Sequence, residues 1–139
     1  FLDTSAFIEL YHKEADTAEI IGIFRKYQVD NVYLSEITKI EFYSAVWKKV
    51  RIKEIEKDEA IELIKIFEKD HEKYKFIDDN VSIKSKSKEL ITKYWVEGLR
   101  TLDAIQLSTA ISLEAKVDLN KSSDKLLIKL FEKEGLPVK

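Results

Sequence analysis

Cysteine and methionine are both absent from this chain of 139 residues, and arginine occurs only three times. Without cysteine there are no disulfides and no thiolate metal sites, which suits a reducing compartment and leads us to expect a cytoplasmic protein. No uncharged stretch approaches the length needed to cross a bilayer, so no membrane span is expected. The start of the chain lacks a basic segment followed by an apolar one, so no signal peptide is read there. Excess positive charge is missing too. The 24 Lys+Arg against 26 Asp+Glu leave a net charge of −2, which argues against a basic coat for nucleic acid but allows a local patch. Two lysine-rich runs, Lys48, Lys49, Arg51 and Lys53, and Lys84, Lys86, Lys88 and Lys93, read as solvated helix faces. With no methionine at position 1, and with Phe1-Leu2 reading as the middle of a strand, we expect the first few native residues to be missing from this sequence.

What is present describes a folded protein. The chain is 45% hydrophobic and 36% charged, a mixture that fits neither disorder nor a membrane protein. Its length suits one domain with a real core. The abundance of lysine, glutamate and isoleucine fits either an ion-pair-rich thermophile or an AT-rich genome.

Two hydrophobic periods alternate along the sequence. Short apolar runs at Phe1-Leu2, Val29 to Leu34, Tyr74 to Ile77, Val117 to Leu119 and Leu136 to Val138 predict strands. Between them, helical spacing groups Ile20, Ile21, Phe24 and Tyr27; then Ile37, Ile40, Ala45 and Trp47, with Ser35 as the predicted N-cap. Further stripes are Ala60, Ile61, Ile64 and Phe67; Ile83, Leu90, Ile91 and Tyr94; Leu102 and Ile105 with their neighbours; and Leu127, Leu130 and Phe131. Gly135 ends the last helix, and Pro137 places the final strand at a sheet edge. Strands separated by helices imply right-handed crossovers and a parallel sheet covered on both faces. There is no repeat, low-complexity tract or linker, so residues 1–139 are expected to form one α/β domain.

In such a sheet, ligands bind beyond the carboxyl ends of the strands. Asp3 follows the first strand in "FLDTSAF". Glu41 lies in "SEITKIEFYSAV", in the second turn of the helix expected after Ser35, a carboxylate between Ile40 and Phe42, with the small Ser44 and Ala45 one turn on. Asp103 opens the helix "TLDAIQLSTA", and Asp124 follows the fourth strand in "SSDKLL". Each has an innocent reading. Asp3 could begin a turn that Thr4 or Ser5 caps, Asp103 and Asp124 could favour a helix dipole, and Glu41 could lie on the surface. Four acids at one end of a sheet would nevertheless repel one another unless a cation sat between them. A hard divalent ion, with its preference for oxygen ligands, is the natural occupant.

Taken in order, "FLDTSAF", "SEITKIEFYSAV", "LRTLDAIQLSTAI" and "SSDKLL" resemble the PIN-domain ribonucleases, and within them the VapC-type toxins of toxin–antitoxin pairs. The resemblance runs over nearly the whole chain. It implies a PIN-like three-layer α/β/α sandwich and an acid cluster holding Mg²⁺ or Mn²⁺. It also implies cleavage of RNA phosphodiester bonds, a homodimer, and a cognate antitoxin covering the acid-lined cleft. Asp3, Glu41, Asp103 and Asp124 match the family's acids as catalytic and metal-binding residues. Ser122 stands where the family usually has threonine, so a hydroxyl is kept. Ser5 and Ser122 are candidates for hydrogen bonds behind the ligands, and Arg100 for a phosphate contact. His12 and His71 fall outside these motifs, in charged segments expected to be exposed, which argues against two-histidine catalysis. Tyr11, Tyr43, Trp47 and Trp95 are either RNA-stacking groups or core. Phe42, Val46, Trp47 and Val50 are candidates for the antitoxin surface. Two other readings share the fold: a nuclease of RNA processing or repair, and an inactive domain that only binds metal or a partner.

Overall fold

Five chain segments run side by side and parallel at the centre of the molecule. In the computed structural model, which describes residues 1–139, β1 (Tyr33–Ser35) pairs with β2 (Lys75–Ile77), Tyr33 lying opposite Lys75. On the other side of β1, the Leu2 N–H donates to the Tyr33 carbonyl at 3.1 Å. Leu2 then bridges Lys121, and Asn120 bridges Val138. Across the sheet the order is therefore residues 75–77, 33–35, 1–3, 120–121 and 138, with the first segment near the centre. The Asn120 N–H donates to the Pro137 carbonyl at 2.7 Å, so Pro137 occupies the edge expected of it.

The strands are shorter than their apolar runs. The predicted strand at 29–34 pairs only from Tyr33, and the one at 117–119 is displaced to Asn120 and Lys121. Between the strands lie α1 (Thr4–Ile8), α2 (Thr17–Lys26), α3 (Thr38–Arg51), α4 (Lys57–Asp70), α5 (Val81–Lys93), α6 (Thr101–Ser112) and α7 (Lys125–Lys133). Alternation along the strands assigns the faces. Leu2, Leu34 and Phe76 point into a core built from α1 to α4, around Phe7, Phe42, Val46 and Phe67. Phe1, Tyr33 and Ile77 point the other way, into a core from α5 to α7 around Leu90, Leu107, Leu130 and Phe131. The result is the three-layer α/β/α sandwich expected from the sequence. Each buried phenylalanine contributes about 1.5–3 kcal/mol, and Phe42 stacks on Phe67 with ring centroids 4.1 Å apart.

Three local expectations change. Ser35 is a buried strand residue, and α3 starts at Thr38 after Ile37 rather than from a Ser35 cap. Of the predicted stripe, Ile40, 74% exposed, and Trp47 face outward, whereas Ala45 packs against the core in which Phe42 and Val46 are fully buried. Leu102 is 46% exposed, so α6 is anchored by Ala104, Leu107 and Ala110 instead. Gly135 does end α7, with a positive φ of 75° that favours glycine. No helix is long and apolar enough to cross a membrane.

Candidate active site

All four acids lie at the starts of helices, on the side of the sheet where the strands end. Asp3 directly follows the first sheet segment and is itself the N-cap of α1, its Oδ1 accepting the Ala6 N–H at 2.9 Å. The cap is thus Asp3 and not Thr4 or Ser5. Glu41 is in the first turn of α3, Asp103 in the first turn of α6, and Asp124 caps α7, accepting the Leu127 N–H at 2.9 Å. Helix dipoles favour negative charge at each of these positions. Dipoles alone do not explain where the side chains go.

Asp3 is 4% exposed and makes no ion pair. The Ser5 hydroxyl lies 2.9 and 2.8 Å from its two oxygens, and Ser122 Oγ donates to Oδ2 at 2.8 Å. Both candidate supporting serines therefore touch the acid directly. Ser122 also accepts the Asp124 N–H at 2.9 Å, which ties the α7 cap to Asp3. Burial pushes the Asp3 carboxyl up to about 6 despite these hydrogen bonds, and the charge of Glu41 adds to the rise. Glu41 in turn accepts from Thr4 Oγ1 at 2.5 Å and from Gln106 Nε2 at 2.6 Å.

Glu41 and Asp103 line one open cleft together with Arg100, Thr101 and Leu102. Arg100 Nε donates to Asp103 Oδ2 at 3.2 Å, and its own side chain is 80% exposed. The structure thus links Asp3 with Glu41 by charge, Asp3 with Asp124 through Ser122, and Glu41 with Asp103 across the cleft. No three of these acids converge closely enough to share one ion as the side chains stand. A larger cavity of about 680 Å³ lies at the opposite end of the strands, lined by residues such as Phe24, Val29, Tyr33 and Val117. It lacks an acid cluster and lies away from the strand ends where ligands bind in open parallel sheets.

Sequence reasoning passed over Thr38 and Gln106, and offered Thr4 only as a helix cap. Gln106 is 2% exposed, and its amide N–H₂ reaches Thr4, Thr38 and Glu41 at 2.9, 3.3 and 2.6 Å. The signal was available: Gln106 is a polar residue in the same apolar helix that made Asp103 conspicuous. The histidines are more buried than expected. His12 faces Glu54 at 3.5 Å, and His71 packs edge-on to Phe67 and Phe76. Of the aromatic candidates, Tyr11 belongs to the core, Tyr43 and Trp47 are 37% exposed, and Trp95 is 73% exposed. Phe42 and Val46 are too buried to serve an antitoxin surface. Among the lysines, Lys49 is held between Glu14 and Glu54 at 2.6 and 3.0 Å and forms no free basic patch.

The family profile of the PIN domain matches residues 1–128. No curated protein sequence matches the chain. Its fold is similar to a chain in the crystal structure of VapBC2 from Rickettsia felis bound to a DNA fragment from their promoter, with a TM-score of 0.65. That likeness has 18% identity and covers 99% of this chain and 95% of that chain.

Proposed function

Since the chain belongs to the PIN-domain family, we propose that it is a Mg²⁺- or Mn²⁺-dependent endoribonuclease and the toxin of a VapBC-type pair. One observation carries this reading. Asp3 is a buried acid without a cationic partner, its pKa raised to about 6 by burial first, with a smaller contribution from the charge of Glu41. A buried carboxylate beside another carboxylate is costly unless a positive charge completes the site. The donors are all carboxylate oxygens, the ligand chemistry of Mg²⁺ and Mn²⁺. Asp103 would join them by leaving Arg100, an exposed pair that is weak in water.

On this reading Asp3, Glu41, Asp103 and Asp124 hold the ion. A bound divalent cation would supply activation of water and neutralisation of charge on the scissile phosphate. Thr4 and Gln106 orient Glu41 by gripping Oε2. Ser5 and Ser122 fix both oxygens of Asp3. Arg100, freed at the rim, contacts an RNA phosphate. The exposed Tyr43 and Trp47, on the helix that carries Glu41, offer faces on which unpaired bases stack.

The partner reading draws on the same surface. Exposed Ile40 and Leu102 flank the cleft acids, an apolar rim that suits coverage by an antitoxin. A homodimer, a cytoplasmic location and a single domain over 1–139 complete the proposal. The test is expression in a bacterial host. Wild type should arrest growth and fragment cellular RNA, and co-expression of the adjacent small gene should relieve both. Asp3→Asn should do neither. Normal growth with intact RNA would turn the reading toward a binding domain, and normal growth with RNA cleavage by the purified chain toward a processing nuclease.

A further inference from the structure

Glu9 is a second buried acid, 3% exposed, and it too has no cationic partner. It caps the end of α1, six residues beyond Asp3, and the roles proposed above make no use of it. Its Oε1 accepts the Ser123 hydroxyl at 2.5 Å, and its Oε2 accepts the Thr17 hydroxyl at 3.2 Å. Neutral glutamine or an apolar side chain would cost less at such a depth. What the carboxylate grips is informative. Ser123 lies between Ser122, which donates to Asp3, and Asp124, which caps α7. In the first turn of α1, Ser5 Oγ accepts the Ser123 N–H at 2.9 Å.

Four hydrogen bonds therefore tie α1 and its cap to the segment 122–124: Ser122 to Asp3 and, at 3.3 Å, to the Ser5 hydroxyl at the helix start, Ser123 N–H to Ser5, and Ser123 hydroxyl to Glu9 at the helix end. We infer that Glu9 is a positioning residue that, by anchoring Ser123, sets the separation of Asp3 and Asp124 and so the affinity of the site for its metal ion. The inference rests on the reading of those two acids as metal ligands. Glu9 acts through Ser123 and touches neither ion nor substrate.

The test is a Mn²⁺ titration of the purified full chain, with free ion followed by electron paramagnetic resonance, alongside melting in EDTA. Glu9→Leu and Ser123→Ala should each weaken Mn²⁺ binding by about 10–100-fold, the usual effect of removing a group behind a metal ligand. Glu9→Gln, which keeps an acceptor for Ser123, should bind within about threefold of wild type on the same scale. A merely structural Glu9 would lower the melting temperature in EDTA and leave Mn²⁺ affinity unchanged, and that result would overturn the inference. An equal loss in Glu9→Gln and Glu9→Leu would overturn it as well, because charge and not grip would then matter. If Glu9→Leu does not fold, Ser123→Ala decides the question alone. Absence of saturable Mn²⁺ binding by wild type, or binding unaffected by Asp3→Asn, would instead bring down the metal site itself.

Discussion

The hydroxyl of Ser122 donates to Asp3 Oδ2 at 2.8 Å across 119 residues of sequence. It joins the first segment of the sheet to the turn before the last helix, and it also receives the Asp124 N–H. A hydrogen bond to a buried charged group contributes about 1.5–3 kcal/mol. Ser122→Ala should therefore raise the Asp3 pKa further and weaken Mn²⁺ binding, while Ser122→Thr, which keeps the hydroxyl, should bind as wild type does. Calorimetric titration of the two variants checks this. Equal affinities for both would show that the hydroxyl carries no part of the site.

Asp3 makes stability depend on pH in the absence of metal. Its pKa rises from 3.8 to about 6 on folding, so the folded state holds the proton more tightly than the unfolded state. This group's contribution to stability is fully present below pH 3.8 and is lost as pH rises through about 6. Asp3→Asn removes the titration and keeps a good helix cap. In EDTA the variant should match wild type near pH 4 and be more stable at pH 7.5 by about 1–3 kcal/mol. Urea unfolding at the two pH values measures it. A pH-independent difference would mean that Asp3 ionises in the fold without penalty.

Much of this was legible in the sequence, and the misses have physical causes. The stripes of α4, α5 and α7 are legible because one apolar face stands out against lysine and glutamate, whereas Glu41 falls in the first turn of α3 rather than the second and Asp3 itself caps α1. In helix α3 the spacing puts Ala45 on the buried face as the structure does, but Ile40 and Trp47 there wrongly. The helix carries apolar groups on both sides, Ile40 and Trp47 outward and Phe42 and Val46 inward, so periodicity alone could not choose. The strands are only three residues long, too short to show alternation, and Ser35 looked like a cap because nothing marked it as a strand end. The contacts of Glu9 and Gln106 depend on partners far away in sequence, 114 residues for Glu9 and Ser123, which no local pattern reveals.

Gln106→Leu should separate function from stability. It removes a donor to Glu41 but also abolishes a buried amide oxygen that has no hydrogen-bond partner. The melting temperature in EDTA should change little, because apolar replacement of buried polar groups is often near neutral. RNA cleavage in Mn²⁺ should fall by about 10–100-fold. Parallel losses of melting temperature and activity would assign Gln106 to the core alone.

Arg100→Ala should cost less than about 1 kcal/mol, since the Arg100–Asp103 pair is exposed. Freeing Asp103 should leave Mn²⁺ affinity unchanged or tighter, and loss of the phosphate contact should raise KM for RNA with kcat nearly constant. A fall in kcat at unchanged KM would contradict that role.

On the proposed function, the four acids at the ends of the strands bind a divalent ion on which RNA cleavage depends. The most direct test of this is the cleavage rate of single-stranded RNA by the purified, antitoxin-free chain in millimolar Mn²⁺. The rate should fall to background on addition of EDTA, return with excess Mn²⁺, and be absent from Asp3→Asn and Asp103→Asn at every Mn²⁺ concentration. Cleavage that survives EDTA, or that both variants retain at wild-type rate, would contradict the account.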